Sequence, residues 1–311
     1  MQPDIICIGE PMLEFNQVRG EQTYLPGHGG DTSNCAVAAA RQGASVGYWT
    51  ALGADQFGDS FMQLWQDEGV DCSHVLRNPD AHTGIYFITH TDAGHSFSYR
   101  RTGSAASRMR PEDLPEAYIA GAKILHVSGI SQAISDSACD TVFRAIEIAR
   151  ENEVEISYDP NLRLKLWPLT RARAIVHATM AMADYALPGL EDAQALTGHT
   201  EPEEIVAHYL EMGAGVVALT LGEEGTLVAT EHEKMRMPAR VVKAVDATGA
   251  GDTFDGAFLA EVSAGSDPFA AAAYANVAAA LSTQGYGAVA PMPRRADVEA
   301  AMAENSPGTI G

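Results

Sequence analysis

The sequence has 311 residues, of which 46% are hydrophobic and 20% are charged, and this composition excludes a disordered or fibrous chain. Forty-one acidic residues against 20 basic ones give a formal net charge of −21, which argues against nucleic acid or an anionic membrane as a partner. Residues 1–9 lack the basic start of a signal peptide, and no run of about 18 apolar residues occurs. We therefore expect a soluble cytoplasmic protein.

Short apolar runs alternate with helical stretches along the chain. This alternation predicts an α/β fold with a parallel sheet that is covered on both faces. The predicted strands are 5–8, 46–50, 124–127, 155–158, 185–187 and 216–219. The predicted helices include 33–42, 57–68, 135–152, 202–212, 251–263 and 268–282.

Two segments, at about 12–25 and 83–101, interrupt the alternation, because they contain strand-like residues and turn signals but no helix. Residues 91–94 join two apolar runs in a way that is typical of an antiparallel hairpin. We expect these segments to pair into a small sheet that lies over the main domain as a lid.

The four cysteines lie far apart and form no Cys-x-x-Cys or Cys/His pair, so neither a zinc site nor a disulfide framework is expected. Free cysteines of this kind are usually buried, and we expect reduced, structural thiols. They are Cys7, Cys35, Cys72 and Cys139.

A glycine-rich turn precedes the predicted helix 251–263. The small residues Gly249, Ala250 and Gly251 leave backbone N–H groups uncovered where the helix begins, and free N–H groups at a helix start bind anions. The sequence therefore predicts a phosphate site at this turn. Asp252 lies in the first turn of the helix, where it is either a functional carboxylate or an ordinary cap.

An earlier turn, 29–34, carries a glycine pair followed by polar side chains. The backbone at Gly30 can come close to a polar ligand, and Asp31 and Asn34 can hydrogen-bond hydroxyl groups, although a capped turn uses the same residues. Together with the segment 249–252, this turn resembles the two signatures of the ribokinase-like (PfkB) carbohydrate kinase family. The resemblance covers nearly the whole chain.

That resemblance implies a single ribokinase-like domain over 1–311, built as a three-layer α/β/α sandwich with a mostly parallel central sheet and a small β-sheet lid. It also implies transfer of the ATP γ-phosphoryl group to a sugar hydroxyl, with Asp252 as the general base and 249–251 as the anion hole. Phosphoryl transfer needs positioning, charge stabilisation and a proton acceptor, which these residue types supply. A homodimer or higher homo-oligomer formed through the lid is also expected.

Contacts to the nucleotide follow from the same resemblance. The segment 220–225 resembles the family's turn near the ATP phosphates and ribose, although a tight hairpin needs the same glycines. The implied nucleotide contacts are Thr220, Gly222, Gly225, Thr248, Gly249, Gly251 and Asn276.

Two acidic places are candidates for metal ions. Relatives carry an Asn-x-x-Glu motif bearing on Mg²⁺, and here Gly189 replaces the Asn, while Glu191 and Asp192 offer carboxylates. A solvated helix start explains these two acids equally well. Asp246 and Thr248 lie where relatives bind a monovalent cation, so they are candidate residues for a K⁺ ion.

Three further segments, 83–86, 99–105 and 159–163, look like those that line the sugar pocket in 2-keto-3-deoxygluconate kinases of this family. A planar guanidinium binds a carboxylate through two parallel N–H bonds, which gives Arg101 and Arg163 a chemical role with a sugar acid. Surface salt bridges are the alternative for both. The expected sugar contacts are Gly30, Asp31, Asn34, Tyr86, Tyr99, Arg101 and Arg163.

The sequence thus predicts a kinase for 2-keto-3-deoxygluconate or a similar sugar acid, with MgATP as the phosphoryl donor. A neutral-sugar kinase, such as a fructokinase or ribokinase, is the alternative within the same class, because an acidic sugar contact of some relatives has no counterpart near 284–288. A non-catalytic sugar-sensing module is the alternative from another class, and the intact segment 249–252 argues against it.

Overall fold

The structure is a computed structural model that describes residues 2–18, 20–91 and 94–304. Its strands are β1 (Ile5–Ile8), β2 (Met12–Gln17), β3 (Tyr24–Gly29), β4 (Val46–Trp49), β5 (Ala51–Gly53), β6 (Leu76–Asn78), β7 (Gly84–Thr91), β8 (Gly94–Arg100), β9 (Ile124–Ser128), β10 (Glu155–Asp159), β11 (Tyr185–Ala186), β12 (Val216–Thr220), β13 (Thr226–Ala229) and β14 (Lys234–Met237). Its helices are α1 (Asp31–Arg41), α2 (Gln56–Asp67), α3 (Glu116–Ala120), α4 (Gly129–Ala133), α5 (Asp136–Glu151), α6 (Leu169–Met180), α7 (Leu190–Thr197), α8 (Pro202–Met212), α9 (Ala250–Ser263), α10 (Pro268–Ser282) and α11 (Arg295–Glu304). Every strand and helix named from the sequence is present, with ends that differ by at most two residues.

The central sheet has eight strands in the order β14-β13-β12-β11-β10-β9-β1-β4. The strands between β4 and β12 run parallel, with Ile5 of β1 opposite both Val46 of β4 and Ile124 of β9. The strands β13 and β14 are antiparallel, because short turns connect β12 to β13 and β13 to β14. The prediction of a mostly parallel sheet is confirmed.

Strand β1 is apolar throughout because both of its faces are covered. Ile6 and Ile8 pack into one core layer with α5, α6 and α8, whereas Ile5 and Cys7 pack into the other with α1, α9 and α10. All four side chains are fully buried. The predicted three-layer α/β/α sandwich is therefore confirmed.

A second sheet has four strands in the order β3-β2-β7-β8. The strand β2 pairs antiparallel with β3 and parallel with β7, and β7 pairs antiparallel with β8. The hairpin expected at 91–94 is therefore confirmed in its strands, and its tip, residues 92 and 93, lies outside the described residues. This sheet is the small lid that the sequence predicted.

Four connections join the lid to the central domain. Residues 9–11 lead from β1 into β2, and Gly30 leads from β3 into α1. Thr83 precedes β7, and Arg101 follows β8. The chain therefore crosses between the central domain and the lid four times at the lid base, entering the lid twice and leaving it twice.

The cysteines agree with a further expectation. All four cysteines are buried and free, as predicted for structural thiols. Within the described residues, no helix has the length and apolar character needed to span a bilayer.

Helices α1 and α9 lie in close contact because α9 has a glycine where they touch. A Cβ at Gly256 would lie 2.4 Å from the Cys35 carbonyl oxygen and 2.6 Å from the Ala38 Cβ. Atoms in a close-packed core do not tolerate such distances, so this approach requires the absence of a side chain at 256. The contact fixes the first turns of the two helices relative to each other.

Replacing Gly256 with Ala should destabilise the protein, because the added methyl group must push the two helices apart. Overpacking of this kind costs about 1–3 kcal/mol, and Tm should fall by a few degrees in differential scanning calorimetry. Gly251→Ala is the matched control on the same helix, since no described atom lies within 4 Å of its Cβ position. Equal losses of Tm in the two variants would contradict the packing argument.

Candidate active site

The first turns of α1 and α9 meet at the carboxyl edge of the central sheet. Asp31 is the first residue of α1, and Asp252 is the third residue of α9. Asn34 Nδ2 donates a hydrogen bond to Asp252 Oδ2 at 2.7 Å, although 218 positions separate the two residues. The structure therefore brings together the two motifs that the sequence singled out.

Asp31 and Asn34 each have one buried oxygen that accepts no hydrogen bond from the described residues. Asn161 Nδ2 donates to Asp31 Oδ2 at 3.3 Å, whereas Asp31 Oδ1 and Asn34 Oδ1 have no such partner. As whole residues, Asp31 and Asn34 are only 8% and 4% exposed. A buried acceptor without a donor is costly, and the hydroxyl groups of a sugar are donors that would satisfy both oxygens.

Asp252 has the electrostatics of a general base. Burial raises the pKa of Asp252 to about 7, and the negative charge of Asp31 acts in the same direction. The Asn34 hydrogen bond and the Arg163 charge oppose this rise in pKa. A carboxyl group with a pKa near neutrality can accept the proton of a hydroxyl group during reaction.

Two further carboxyl groups interact with Asp252. Asp159 is the last residue of β10, and Asp255 follows Asp252 in the first turns of α9. Burial raises the pKa of both groups well above the usual range, and the neighbouring carboxylates raise it further. Because like charges buried together disfavour ionisation, these carboxyl groups raise one another's pKa.

The turn before α9 has the geometry of an anion site. Gly249 adopts a left-handed conformation, with φ of 74°, and a Cβ there would lie 2.9 Å from the Ala288 Cβ. At Gly251, no described atom lies within 4 Å of a Cβ position. The first N–H groups of α9 thus border a space that a phosphate group can enter. The role of Gly249, Ala250 and Gly251 as an anion hole stays a prediction.

Asp246 ties this turn to the loop that follows α10. Its Oδ1 accepts hydrogen bonds from Thr248 N at 3.0 Å and Thr248 Oγ1 at 2.6 Å, and its Oδ2 accepts one from Gly287 N at 3.0 Å. These bonds give both side chains a structural role. The predicted contacts of Asp246 and Thr248 with a monovalent cation, and of Thr248 with the nucleotide, stay predictions.

The turn between β12 and β13 is the hairpin that the sequence left as one of two alternatives. Gly222 and Gly225 have φ of 63° and 95°, and a Cβ at Gly225 would lie 2.0 Å from the Met237 carbonyl oxygen. Thr220 Oγ1 lies 3.5 Å from the Pro188 carbonyl oxygen, to which it donates. The hairpin is confirmed, and the nucleotide contacts of these residues stay predictions.

Asn276 uses both ends of its amide group inside the protein. Its Oδ1 accepts a hydrogen bond from Thr226 Oγ1 at 2.7 Å, and its Nδ2 donates to the carbonyl oxygens of Met237 and Pro238 at 3.0 and 3.4 Å. These bonds fasten α10 to β13 and to the end of β14. Its predicted place beside the nucleotide stays a prediction.

Asp192 holds the loop that carries Arg163. Its Oδ2 accepts a hydrogen bond from Leu162 N at 2.8 Å, and burial raises its pKa, while Glu191 is exposed. In the described part of the chain, no three His, Cys, Asp or Glu side chains group so as to hold a metal ion. Mg²⁺ commonly binds through one or two carboxylates plus phosphate oxygens and water, so these two acids fit such a site and their role stays a prediction.

Arg101 forms a buried ion pair instead of the surface salt bridge considered from the sequence. Its Nε donates to Glu10 Oε2 at 2.8 Å, and its Nη2 bonds the same oxygen. Its guanidinium carbon lies 5.6 Å from the centroid of the Tyr99 ring. The positive charge of Arg101 is therefore compensated within the protein, and its contact with a sugar stays a prediction.

Arg163 has a different environment. Its side chain is exposed, and its Nη1 donates to the Leu162 carbonyl oxygen at 3.0 Å. It is close enough to Asp252 and Asp192 for its charge to lower their pKa values. Among the described residues, however, no carboxylate forms an ion pair with it within 4 Å. Arg163 thus presents a guanidinium beside the candidate base.

Tyr86 and Tyr99 are opposite each other on β7 and β8, with ring centroids 5.9 Å apart. The Tyr86 hydroxyl donates to Glu14 Oε2 at 2.5 Å, and burial raises the pKa of both groups. Tyr86 is near enough to Asp252 to interact with its charge. The lid face that carries the two tyrosines therefore turns toward the site, and their sugar contacts stay predictions.

The family follows from a match over almost the entire chain. Residues 2–295 match the pfkB family carbohydrate kinase. The chain belongs to the pfkB family of carbohydrate kinases.

Three similar proteins indicate the type of reaction that this pfkB kinase catalyses. It is 33% identical to the 2-dehydro-3-deoxygluconokinase of Thermoproteus tenax, covering 94% of this chain and 93% of the relative. A fructokinase of Vibrio cholerae O395, solved with fructose, ADP and calcium ion, is 30% identical, with a TM-score of 0.87 over 96% of this chain and 99% of its own. An E. coli protein described as a ribokinase II, solved with ATP and Mg²⁺, is 25% identical, with a TM-score of 0.90 over 97% and 100%. The protein is an ATP-dependent sugar kinase with the ribokinase-like fold.

Sequence reasoning named none of four acidic residues at this pfkB kinase's candidate site as a contact, although Asp159 lies in the segment 159–163 that was expected to line the sugar pocket. Glu10 and Asp159 stand at the carboxyl ends of β1 and β10, and that position could have marked them, because ligands bind at this edge of parallel sheets. Asp255 is an acid on an otherwise apolar helix face, which is a second available signal. Nothing in the sequence pairs Glu14 with Tyr86, since the two lie on different strands.

The pH dependence of this pfkB kinase should follow the charges around Asp252. Asn34→Ala removes a bond that stabilises the carboxylate, so the pKa of Asp252 should rise and the acidic limb of kcat/KM should move to higher pH. Asp31→Asn removes a negative charge that disfavours the carboxylate, so the limb should move to lower pH. Profiles of kcat/KM against pH measure both shifts, and shifts in one common direction would contradict the assignment of this limb to Asp252.

Proposed function

We propose that this pfkB kinase phosphorylates a sugar acid of the 2-keto-3-deoxygluconate class, with MgATP as the donor. The observation that carries the proposal is Arg163, a guanidinium beside Asp252 with no ion-pair partner within 4 Å in the described structure. A sugar that places a hydroxyl at Asp252 and a carboxylate at Arg163 supplies the missing anion. The T. tenax relative, named for the same sugar acid, supports this choice.

In this proposal the protein positions the sugar and accepts one proton. The unpartnered oxygens of Asp31 and Asn34 accept hydrogen bonds from sugar hydroxyls, and Asp252 takes the proton of the attacking hydroxyl. The new P–O bond forms as the bond from the γ-phosphorus to the bridging oxygen breaks, so that the products are ADP and a phosphorylated sugar. N–H groups at the start of α9 stabilise the charge on the transferred group.

The metal ions belong to the same proposal. Bound Mg²⁺ neutralises charge on the nucleotide phosphates. We assign Glu191 and Asp192 as its protein contacts and Asp246 with Thr248 as the neighbourhood of K⁺. Asp192 also anchors the loop of Arg163 through Leu162, so one residue serves both the metal and the sugar sides of the site.

Replacing Asp252 with Asn tests the catalytic part of the proposal. The amide keeps the size of the side chain but cannot accept the proton, so kcat should fall by roughly 10²–10⁴-fold. Circular dichroism and thermal melting should show an intact fold. Near wild-type turnover in a folded Asp252→Asn protein would contradict the role of Asp252.

The substrate is tested with Arg163→Ala on matched acidic and neutral sugars. Removing the guanidinium leaves a bound carboxylate unpaired, so kcat/KM for 2-keto-3-deoxygluconate should fall by about 10²-fold or more, and that for fructose or ribose by much less. Arg144→Ala, which alters a partly exposed arginine of α5 paired with Glu116, is the control and should change neither value. Equal losses for acidic and neutral sugars would contradict the proposed substrate class.

A neutral-sugar kinase is the second candidate, and one observation favours it. Glu10 already neutralises Arg101, so the site offers one unpaired guanidinium and not the two that the sequence suggested. The V. cholerae fructokinase, solved with fructose, has a similar chain fold. A wild-type enzyme that prefers fructose or ribose in the same assay would select this alternative.

A further inference from the structure

We propose that Glu10 is a positioning residue that sets the affinity of this kinase for its sugar by holding Arg101 in place. The inference rests on the proposed sugar kinase function and on the predicted contact between Arg101 and the sugar. It does not depend on whether that sugar is acidic or neutral. Glu10 itself touches no substrate in this proposal and acts only through Arg101.

Glu10 lies where the connections between the lid and the central domain converge. It belongs to the connection 9–11, and its carbonyl oxygen lies 2.5 Å from the Cβ position of Gly30. Its Oε1 lies 3.2 Å from the Cβ position of Gly84, at the start of β7, and its carboxylate binds Arg101, just after β8. Glu10 therefore lies against all four connections, through its backbone at 9–11 and Gly30 and through its side chain at Gly84 and Arg101.

The Glu10 carboxylate is fully buried and both of its oxygens are used. Oε2 accepts from Arg101 Nε at 2.8 Å and from Nη2, and Oε1 accepts from Ser104 Oγ at 2.7 Å. Ser104 N in turn donates to the Arg101 carbonyl oxygen at 2.9 Å, and Gly103 between them has φ of 75°. Glu10 thus fixes the side chain of Arg101 and the turn that carries it.

The geometry leaves one edge of the Arg101 guanidinium for a ligand. Glu10 occupies the edge formed by Nε and Nη2, and no described residue accepts a hydrogen bond from Nη1. The ring of Tyr99, an expected sugar contact, lies beside the same guanidinium. Clamped between a carboxylate and an aromatic ring, Arg101 can present Nη1 in a single direction, and preorganised donors bind a ligand with less loss of entropy.

The burial of this ion pair agrees with a positioning role more than with a stabilising one. Removing two charges from water costs about as much as their attraction returns, so a buried pair adds little net stability. The Arg101 and Glu10 side chains are only 9% and 0% exposed. A buried ion pair at the base of the lid fixes the orientation of the Arg101 guanidinium, which an apolar pair of similar volume cannot do.

A double-mutant cycle tests the proposal, with sugar Kd from calorimetry and KM and kcat from the kinase assay. Glu10→Gln keeps the size of the side chain but turns an amide N–H toward the guanidinium, so sugar Kd and KM should rise by about tenfold or more. Arg101→Ala should raise them at least as far. The double variant should be no worse than Arg101→Ala alone. In Glu10→Gln the rise in sugar KM should exceed any fall in kcat, and the KM for ATP should stay within about twofold.

Glu68→Gln is the matched control. Glu68 pairs with Arg41 at 2.6 Å, with side-chain exposures of 10% and 11%, so this variant also removes the negative charge of a sheltered ion pair. Its sugar Kd and KM should equal those of the wild type. If Glu10→Gln does not fold, Arg101→Lys replaces it, because lysine keeps the charge but loses the fork that Glu10 orients, and sugar KM should again rise about tenfold.

Three results would overturn the inference. The first is an unchanged sugar Kd in folded Glu10→Gln or Arg101→Lys. The second is a double variant in which the losses of sugar affinity of Glu10→Gln and Arg101→Ala multiply. The third is a rise of sugar Kd in Glu68→Gln equal to that in Glu10→Gln. A wild type that phosphorylates only neutral sugars contradicts the proposed substrate class, and the cycle is then measured with that neutral sugar. The two failures are therefore distinguishable.

Discussion

The close approach of α1 and α9 is the constraint on which the rest of the site depends. Because Gly256 has no side chain, the backbone of α9 lies against the Cys35 carbonyl group. Both helices begin at the same edge of the sheet, so this contact brings Asn34 within 2.7 Å of Asp252. A core packing contact thus sets the distance between the turn 29–34 and Asp252, the candidate general base.

The second organising feature is a concentration of negative charge at helix starts. Asp31 and Asp252 both lie in first turns, where the helix dipole stabilises a negative charge. Burial and mutual repulsion act against this stabilisation and raise the pKa of Asp252 and of its neighbours Asp159 and Asp255. The balance between these effects gives one carboxyl group a proton affinity suited to neutral pH, while the whole chain carries a net charge of −21.

The sequence predicted the features that depend on neighbouring residues. It did not predict contacts between residues that lie far apart in the chain. Apolar runs and helix caps located the strands and helices, since both depend on neighbouring residues, and β1 is an example. The two glycine turns likewise identified Asp252 and Asn34. The partner of Arg101 could not be predicted, because Glu10 lies 91 positions away and the pairing arises only when the lid folds back onto β1. The internal bonds of Asn276 escaped prediction for the same reason.

The base of the lid also determines how motion is distributed across it. All four chain crossings are gathered around Glu10, whereas the strands extend away from that point, so any rotation of the lid has its axis there and its lever arm along β2 and β7. Displacement then grows with distance from the axis. In such a rotation Arg101, next to the pivot, would keep its place against the central domain, while the outer lid around the exposed Leu25 would move farthest. The outer end of the lid would then control the access of a ligand, while the base of the lid would keep the position of Arg101 constant.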